Sequence, residues 1–199
     1  IVDGKVGGGR QSEQIFGLYH GLVPKPQVPL ADRILRENLA SYDGAFTTGI
    51  FGTCYLVDLY PEFVERNITR DDAPGYGHMI ARGATTLWET WKESDGFYSQ
   101  NHPMFGSVDA WVVRDLLGIR VAADAVGADR LVVAPVATRD VDWAHGCYQT
   151  IHGPVKVSWE KTGNRRHLTL DLPEGTSARV RPGPDGVWFD VTGGHHEWR

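Results

Sequence analysis

The sequence predicts a chain that is helical first and β-structured second, and three observations carry that prediction. Apolar residues recur at i, i+3, i+4 and i+7 through roughly the first 119 positions, the mark of helices with one buried face. No strand-like alternation interrupts them. Beyond about residue 120, short runs alternate apolar and polar residues between turn-forming segments, the pattern of a small antiparallel β-sandwich. The division falls near residues 120–130, giving a helical segment over 1–122 and a β segment over 123–199.

Gly7-Gly8-Gly9 opens the chain as a turn or flexible stretch. Ile15, Leu18, Tyr19 and Leu22 mark a first helix, ended by Gly21 and Pro24. After a connector over 24–29, Leu30, Ile34, Leu35 and Leu39 mark a second. A third runs over about 48–59 with Ile50, Cys54, Val57 and Leu59 on its apolar side, and a short helical piece follows at about 62–67. Asp71-Asp72-Ala73-Pro74-Gly75 breaks the pattern. Residues 79–91 fit a helix weakened at Gly83, and 93–96 fit a loop. Ser107 fits the N-cap of a helix carrying Val108, Trp111, Val112 and Leu116 and stopping at Gly118. Helices joined by short polar loops stack in pairs.

In the β segment, Leu131-Val132-Val133-Ala134 forms one strand. Val155, Val157 and Trp159 form a second, and Leu168, Leu170 and Leu172 a third. Lys161-Thr162-Gly163-Asn164 is the hairpin turn between them. Ala178 with Val180, and residues 187–191, supply two more short strands around Pro182-Gly183-Pro184. Trp159 and Trp188 read as packing residues there.

Composition narrows the function classes. The 199 residues suffice for one ordinary domain or two small ones. A formal charge of -5 and a pI near 5.9 give no basic surface for a phosphate backbone, so no nucleic-acid partner is expected. No run approaches the roughly 18 apolar residues that span a bilayer, so no membrane partner is expected. The chain opens Ile1-Val2-Asp3-Gly4 without an initiator methionine or secretory signal. It reads as a processed product or a fragment, and its compartment is unknown. Cys54 and Cys147 make neither a disulfide framework nor a metal set and read as small buried residues. Seven tryptophans exceed ordinary usage and leave one or two for carbohydrate stacking.

Residues 73–111 concentrate the groups with chemical potential. Glu89 lies between Trp88 and Trp91, and His102 follows thirteen positions later. Aromatic walls around an acid suit a sugar, whose C–H faces stack on rings while its hydroxyls need polar partners. On a helix, Trp88 and Trp91 share a face and Glu89 projects to one side of it. Partial burial beside the indoles then tunes Glu89 as a general acid or base. The same spacing describes a solvated carboxylate on a helix whose tryptophans are core, the commoner outcome for such pairs. His102 is either a donor to a sugar hydroxyl or a structural residue before Pro103. No second ligand stands at zinc spacing from it, so no metal and no cofactor are expected. His195-His196 reads as a surface pair and Asp71-Asp72 as part of a turn. No elbow motif supports a Ser-His-Asp triad.

Four blocks occur in order: Thr47-Thr48-Gly49-Ile50-Phe51-Gly52-Thr53, Pro74-Gly75-Tyr76-Gly77-His78-Met79-Ile80, Gly83-Ala84-Thr85-Thr86-Leu87-Trp88-Glu89-Thr90-Trp91 and Asn101-His102-Pro103-Met104-Phe105-Gly106-Ser107. Together they resemble the C-terminal part of bacterial α-L-rhamnosidases of glycoside hydrolase family 78. The similarity continues through Leu116-Leu117-Gly118-Ile119 into the β-rich tail. The resemblance implies the last helices of an (α/α)6 barrel followed by a C-terminal β-sandwich, and an inverting release of terminal L-rhamnose. It implies that Glu89 is the general base that activates water and that His102 contacts the bound rhamnose. Trp88, Trp91 and Tyr76 supply the aromatic part of that substrate site, Tyr76 standing where many members have Trp.

The resemblance also implies partners: a rhamnose-containing glycoside or polysaccharide as substrate, and the remaining N-terminal part of the same enzyme. An inverting glycosidase needs two carboxyl groups roughly 6.5–9.5 Å apart. The aspartate-rich stretch that carries the family's general acid has no counterpart in this sequence. The expectation is therefore the base half of a rhamnosidase, inactive alone. Two alternatives stay open: a non-catalytic carbohydrate-binding remnant of such a hydrolase, and an (α/α)6 enzyme acting on another sugar.

Overall fold

The computed structural model describes residues 1–92, 98–163 and 165–199. The expected loop at 93–96 and the turn residue Asn164 lie outside them. The chain divides into two units, Ile1–Val108 and Asp109–Arg199.

In the first unit, α1 (Gln11–Tyr19) packs against α2 (Val28–Ser41) and α3 (Ile50–Leu59). The buried face of α1 carries Gln11, Gln14, Ile15 and Gly17, whereas Tyr19 and Leu22 of the expected stripe are exposed. Hydrogen bonding explains the exchange. Gln14 Nε2 donates to the carbonyls of Gly4 and Ala31, each at 3.1 Å. Gln11 Nε2 donates to Ala45 O at 3.0 Å while its Oε1 accepts from Thr47 N–H at 2.8 Å. Buried amides whose groups are paired are tolerated in a core, and apolar periodicity does not register them.

The second helix buries Ala31, Leu35 and Leu39, and α3 buries Gly52, Thr53, Leu56 and Val57 but leaves Leu59 exposed. A 3-10 turn, Pro61–Phe63, leads into α4 (Val64–Thr69), against which α5 (Tyr76–Ala81) packs.

The helix expected over 79–91 stops at Ala81. Gly83, at φ 83, adopts the left-handed conformation. Its N–H donates to Ile80 O and the Ala84 N–H to Met79 O, both at 2.9 Å. This is the Schellman closure, so Gly83 terminates the helix. Gly77 answers a different need. A Cβ there would lie 2.5 Å from the Arg70 carbonyl oxygen, so a side chain would separate α5 from the end of α4. Ser107 lies inside a 3-10 turn, Pro103–Ser107, which runs into α6 (Val108–Trp111). Its hydroxyl caps nothing and has no partner among the described residues.

The second unit continues through a π-helical turn, Val112–Leu116, into one six-stranded sheet. Its strands are β1 (Ile119–Val121), β2 (Arg130–Val133), β3 (Trp143–Thr150), β4 (Gly153–Thr162), β5 (Arg165–Val180) and β6 (Phe189–Trp198). Their order is β1-β2-β5-β4-β3, with β6 also paired to β5. Helices followed by β structure is the class expected. Several details differ, however. The β2–β5 pair is parallel, making the sheet mixed, because β5 returns to β2 only after the β3–β4 excursion. The separate strand expected at Ala178 and Val180 is the far half of β5, joined through an irregularity between Leu172 and Ser177. Trp188 precedes β6 and is exposed, with the Arg179 and Arg181 guanidiniums each 5.0 Å from its ring centre. Cys147 is exposed on the edge strand β3 and Cys54 is half-buried, so neither is the buried residue expected.

The sheet's core gathers Val155, Val157, Trp159, Leu168, Leu170 and Val180. Gly118, at φ 80, enters this unit where a Cβ would meet Pro135 N at 2.2 Å, which requires glycine twice over. Among the described residues, no helix is long and apolar enough to cross a membrane.

Candidate active site

The end of α5 at Ala81 releases residues 84–92 as irregular, bent chain, and they lie beside residues 98–102. Two backbone bonds hold the segments together: Glu89 N–H donates to Ser99 O at 3.0 Å and His102 N–H to Leu87 O at 2.8 Å. Thr86 Oγ1 adds a bond to Gln100 O. This pairing places Glu89 and His102 side by side, although they are thirteen positions apart in sequence.

The Glu89 carboxylate accepts from the Ser99 N–H through Oε2 at 2.9 Å, which fixes its orientation. The same oxygen lies 3.9 Å from His102 Nδ1. That is too long for a direct hydrogen bond, but an oxygen atom about 2.8 Å from each would fit between them. Both side chains are partly open to solvent, at 34% for Glu89 and 27% for His102. His102 Nε2 is buried and without a partner among the described residues. A fixed carboxylate beside an imidazole can take up a proton and orient a polar hydrogen, the two operations of general base chemistry.

The three aromatic residues assigned to the substrate behave differently from that expectation. Tyr76, Trp88 and Trp91 are 7%, 3% and 8% exposed, and the polar tips of Tyr76 and Trp91 are already bonded. Tyr76 Oη donates to Phe105 O and Trp91 Nε1 to Thr48 O, both at 2.7 Å. Trp91 lies 4.1 Å from the Phe105 ring and meets Tyr76 edge-on at 5.2 Å, while His78 stands edge-on to Trp88 at 6.3 Å. A stacked sugar needs an uncovered ring face. In this chain the faces are covered by protein, so the rings back the loop that carries Glu89.

Ser99 and Thr48 are the contributors that sequence reading missed. Ser99 acts through its backbone N–H, and no residue type announces that. Thr48 lies within the first of the four sequence blocks, but its role, accepting from Trp91 Nε1 through its carbonyl, depends on the fold. Of the other candidates, Asp72 forms a two-pronged pair with Arg70 at 2.8 Å. That pairing holds its carboxyl below the usual range. His195 pairs with Asp171 at 2.6 Å on the exposed sheet surface. Among the described residues, no group of three or more His, Cys, Asp or Glu is arranged to hold a metal.

A helical unit presenting this carboxylate–imidazole pair is thus followed by a β unit. Residues 2–116 match the bacterial alpha-L-rhamnosidase 6 hairpin glycosidase domain, and residues 118–187 match the bacterial alpha-L-rhamnosidase C-terminal domain. The chain belongs to the bacterial α-L-rhamnosidase family. It is 30% identical over 192 residues to an alpha-L-rhamnosidase of Streptomyces avermitilis, covering 89% of this chain and 18% of that protein. An alpha-L-rhamnosidase of an Alteromonas species is 28% identical over 185 residues, covering 86% and 20%.

The crystal structure of the Streptomyces avermitilis alpha-L-rhamnosidase complexed with L-rhamnose aligns at a TM-score of 0.86 and 27% identity, over 99% of this chain and 22% of that one. That of the Aspergillus terreus enzyme aligns at 0.85 and 25% identity, over 100% and 25%. This chain thus spans about a fifth of the length of its curated relatives.

Proposed function

We propose that this chain is the base-bearing part of an inverting α-L-rhamnosidase. The juxtaposition of Glu89 and His102 within the family's hairpin glycosidase domain carries the reading. In it, Glu89 takes a proton from water as that water attacks the anomeric carbon on the face opposite the leaving group. Ser99 N–H holds Oε2, leaving Oε1 without a partner among the described residues to receive the proton. His102 contacts a rhamnose hydroxyl beside the attacked carbon. Tyr76, Trp88 and Trp91 keep the carrying loop in place. The general acid that protonates the leaving oxygen is supplied from outside this chain, by the rest of the same enzyme.

Two measurements test this reading. The complete protein should hydrolyse an aryl α-L-rhamnoside, with the β-anomer of rhamnose appearing first by proton NMR. The 199-residue chain alone should give no turnover. First formation of the α-anomer would replace inversion by retention, and robust turnover by the isolated chain would end the divided-site reading. His102→Ala in the complete protein should raise KM about tenfold with a smaller fall in kcat, the scale of one lost hydrogen bond to the substrate. An unchanged KM would remove His102 from the sugar.

A further inference from the structure

A cleft of about 390 Å³ opens in the β unit among the start of β5, the 182–187 turn and the end of β6. Arg165, Arg166 and Arg199 line it, and Asp185 is the one carboxylate among its described lining residues. Phe189 and Trp198 form an apolar wall, their rings 5.9 Å apart.

Arg166 is the unusual member. It is 8% exposed and lies over the Trp159 ring at 4.3 Å. Its terminal nitrogens donate to the carbonyls of Pro135 and Val136 at 2.9 and 2.7 Å, while its Nε is buried and unpartnered among the described residues. Its hydrogen bonds go to neutral carbonyls, and burial lowers its proton affinity. Arg166 has no ion pair among the described residues, so its charge contributes a positive field to the cleft. Arg165 is exposed and has no ion pair among the described residues. Arg199 shares Glu197 at 2.8 Å.

Guanidinium groups bind carboxylates as a planar fork, and an aromatic wall accepts the C–H face of a sugar ring. A concave site of this size holds a small ligand or one sugar residue. We propose that this cleft binds a uronate residue of an acidic polysaccharide, a second saccharide site within the β unit. The choice of a saccharide rests on the rhamnosidase reading; the demand for an anion rests on the arginines.

Calorimetric titration of the complete protein with trigalacturonate, galactotriose and sodium sulfate tests it. Trigalacturonate should bind and galactotriose should not. Arg165→Ala should weaken trigalacturonate binding about tenfold and leave kcat/KM on an aryl rhamnoside within about twofold, since Arg165 lies outside the Glu89 loop. Equal binding of the neutral trisaccharide, binding of sulfate as tight as that of the uronide, or indifference to Arg165→Ala would each overturn the proposal. The two claims fail separately. Arginine-dependent uronide binding by a protein that cleaves no rhamnoside would keep this site and discard the rhamnosidase reading.

Discussion

Glu89→Gln in the complete protein should lower kcat on an aryl α-L-rhamnoside about a thousandfold, with KM little changed. The amide is nearly isosteric, and its carbonyl oxygen still accepts from Ser99 N–H, so the loop geometry survives. What disappears is the ability to take a proton from attacking water. General base catalysis contributes about a hundredfold to ten-thousandfold, and a thousandfold corresponds to about 4 kcal/mol of barrier. Because the base acts only in the transition state, the loss belongs in kcat. An unchanged circular dichroism spectrum would separate this from unfolding. Activity within about fivefold of the parent would sink the assignment of Glu89 as base.

Trp159→Ala should destabilise the β unit by about 4 kcal/mol, read as a fall in its denaturation midpoint. Truncating a buried tryptophan typically costs about 3–5 kcal/mol through lost burial and the cavity left behind. Trp159 is 1% exposed, so little of the gap is open to solvent. Two further contacts go with the ring: its Nε1 donates to Leu116 O at 2.8 Å, and its face carries the Arg166 guanidinium. Without that face, a buried cation loses its only aromatic cover among the described contacts. Trp159→Phe should recover most of the loss, leaving about 1 kcal/mol for the missing hydrogen bond. A cost below about 1 kcal/mol for the alanine variant would mean that this core closes around the gap.

The alternating strands were the most legible part of the chain. Val155, Val157 and Trp159, like Leu168, Leu170 and Leu172, face the core in the order their alternation indicates, because a two-residue period admits one buried face. The edge strand β3 was harder to see. Its Trp143, Cys147 and Gln149 are exposed, so burial among the described residues imposes no alternation on that face. On α1, paired glutamines replaced apolar residues in the buried face. Over 79–91 the error had a local cause: the aromatic spacing fits a helix, but Gly83 closes α5 by a Schellman bond pair.

By itself the sequence determined the order of helices before strands, the region in which the candidate site lies and, through four motif blocks, the family. Those properties depend on residue identity and short-range periodicity, which the chain carries whatever its conformation. The tertiary structure alone decided that Glu89 and His102 face each other from two loop segments joined by backbone hydrogen bonds, and that Ser99 orients the carboxylate with a backbone group. It also decided that Tyr76, Trp88 and Trp91 turn their faces inward, behind the loop. These are long-range outcomes of hydrogen bonding and burial. A carboxylate between two tryptophans reads the same in sequence whether the rings meet a sugar or support the loop that presents the acid.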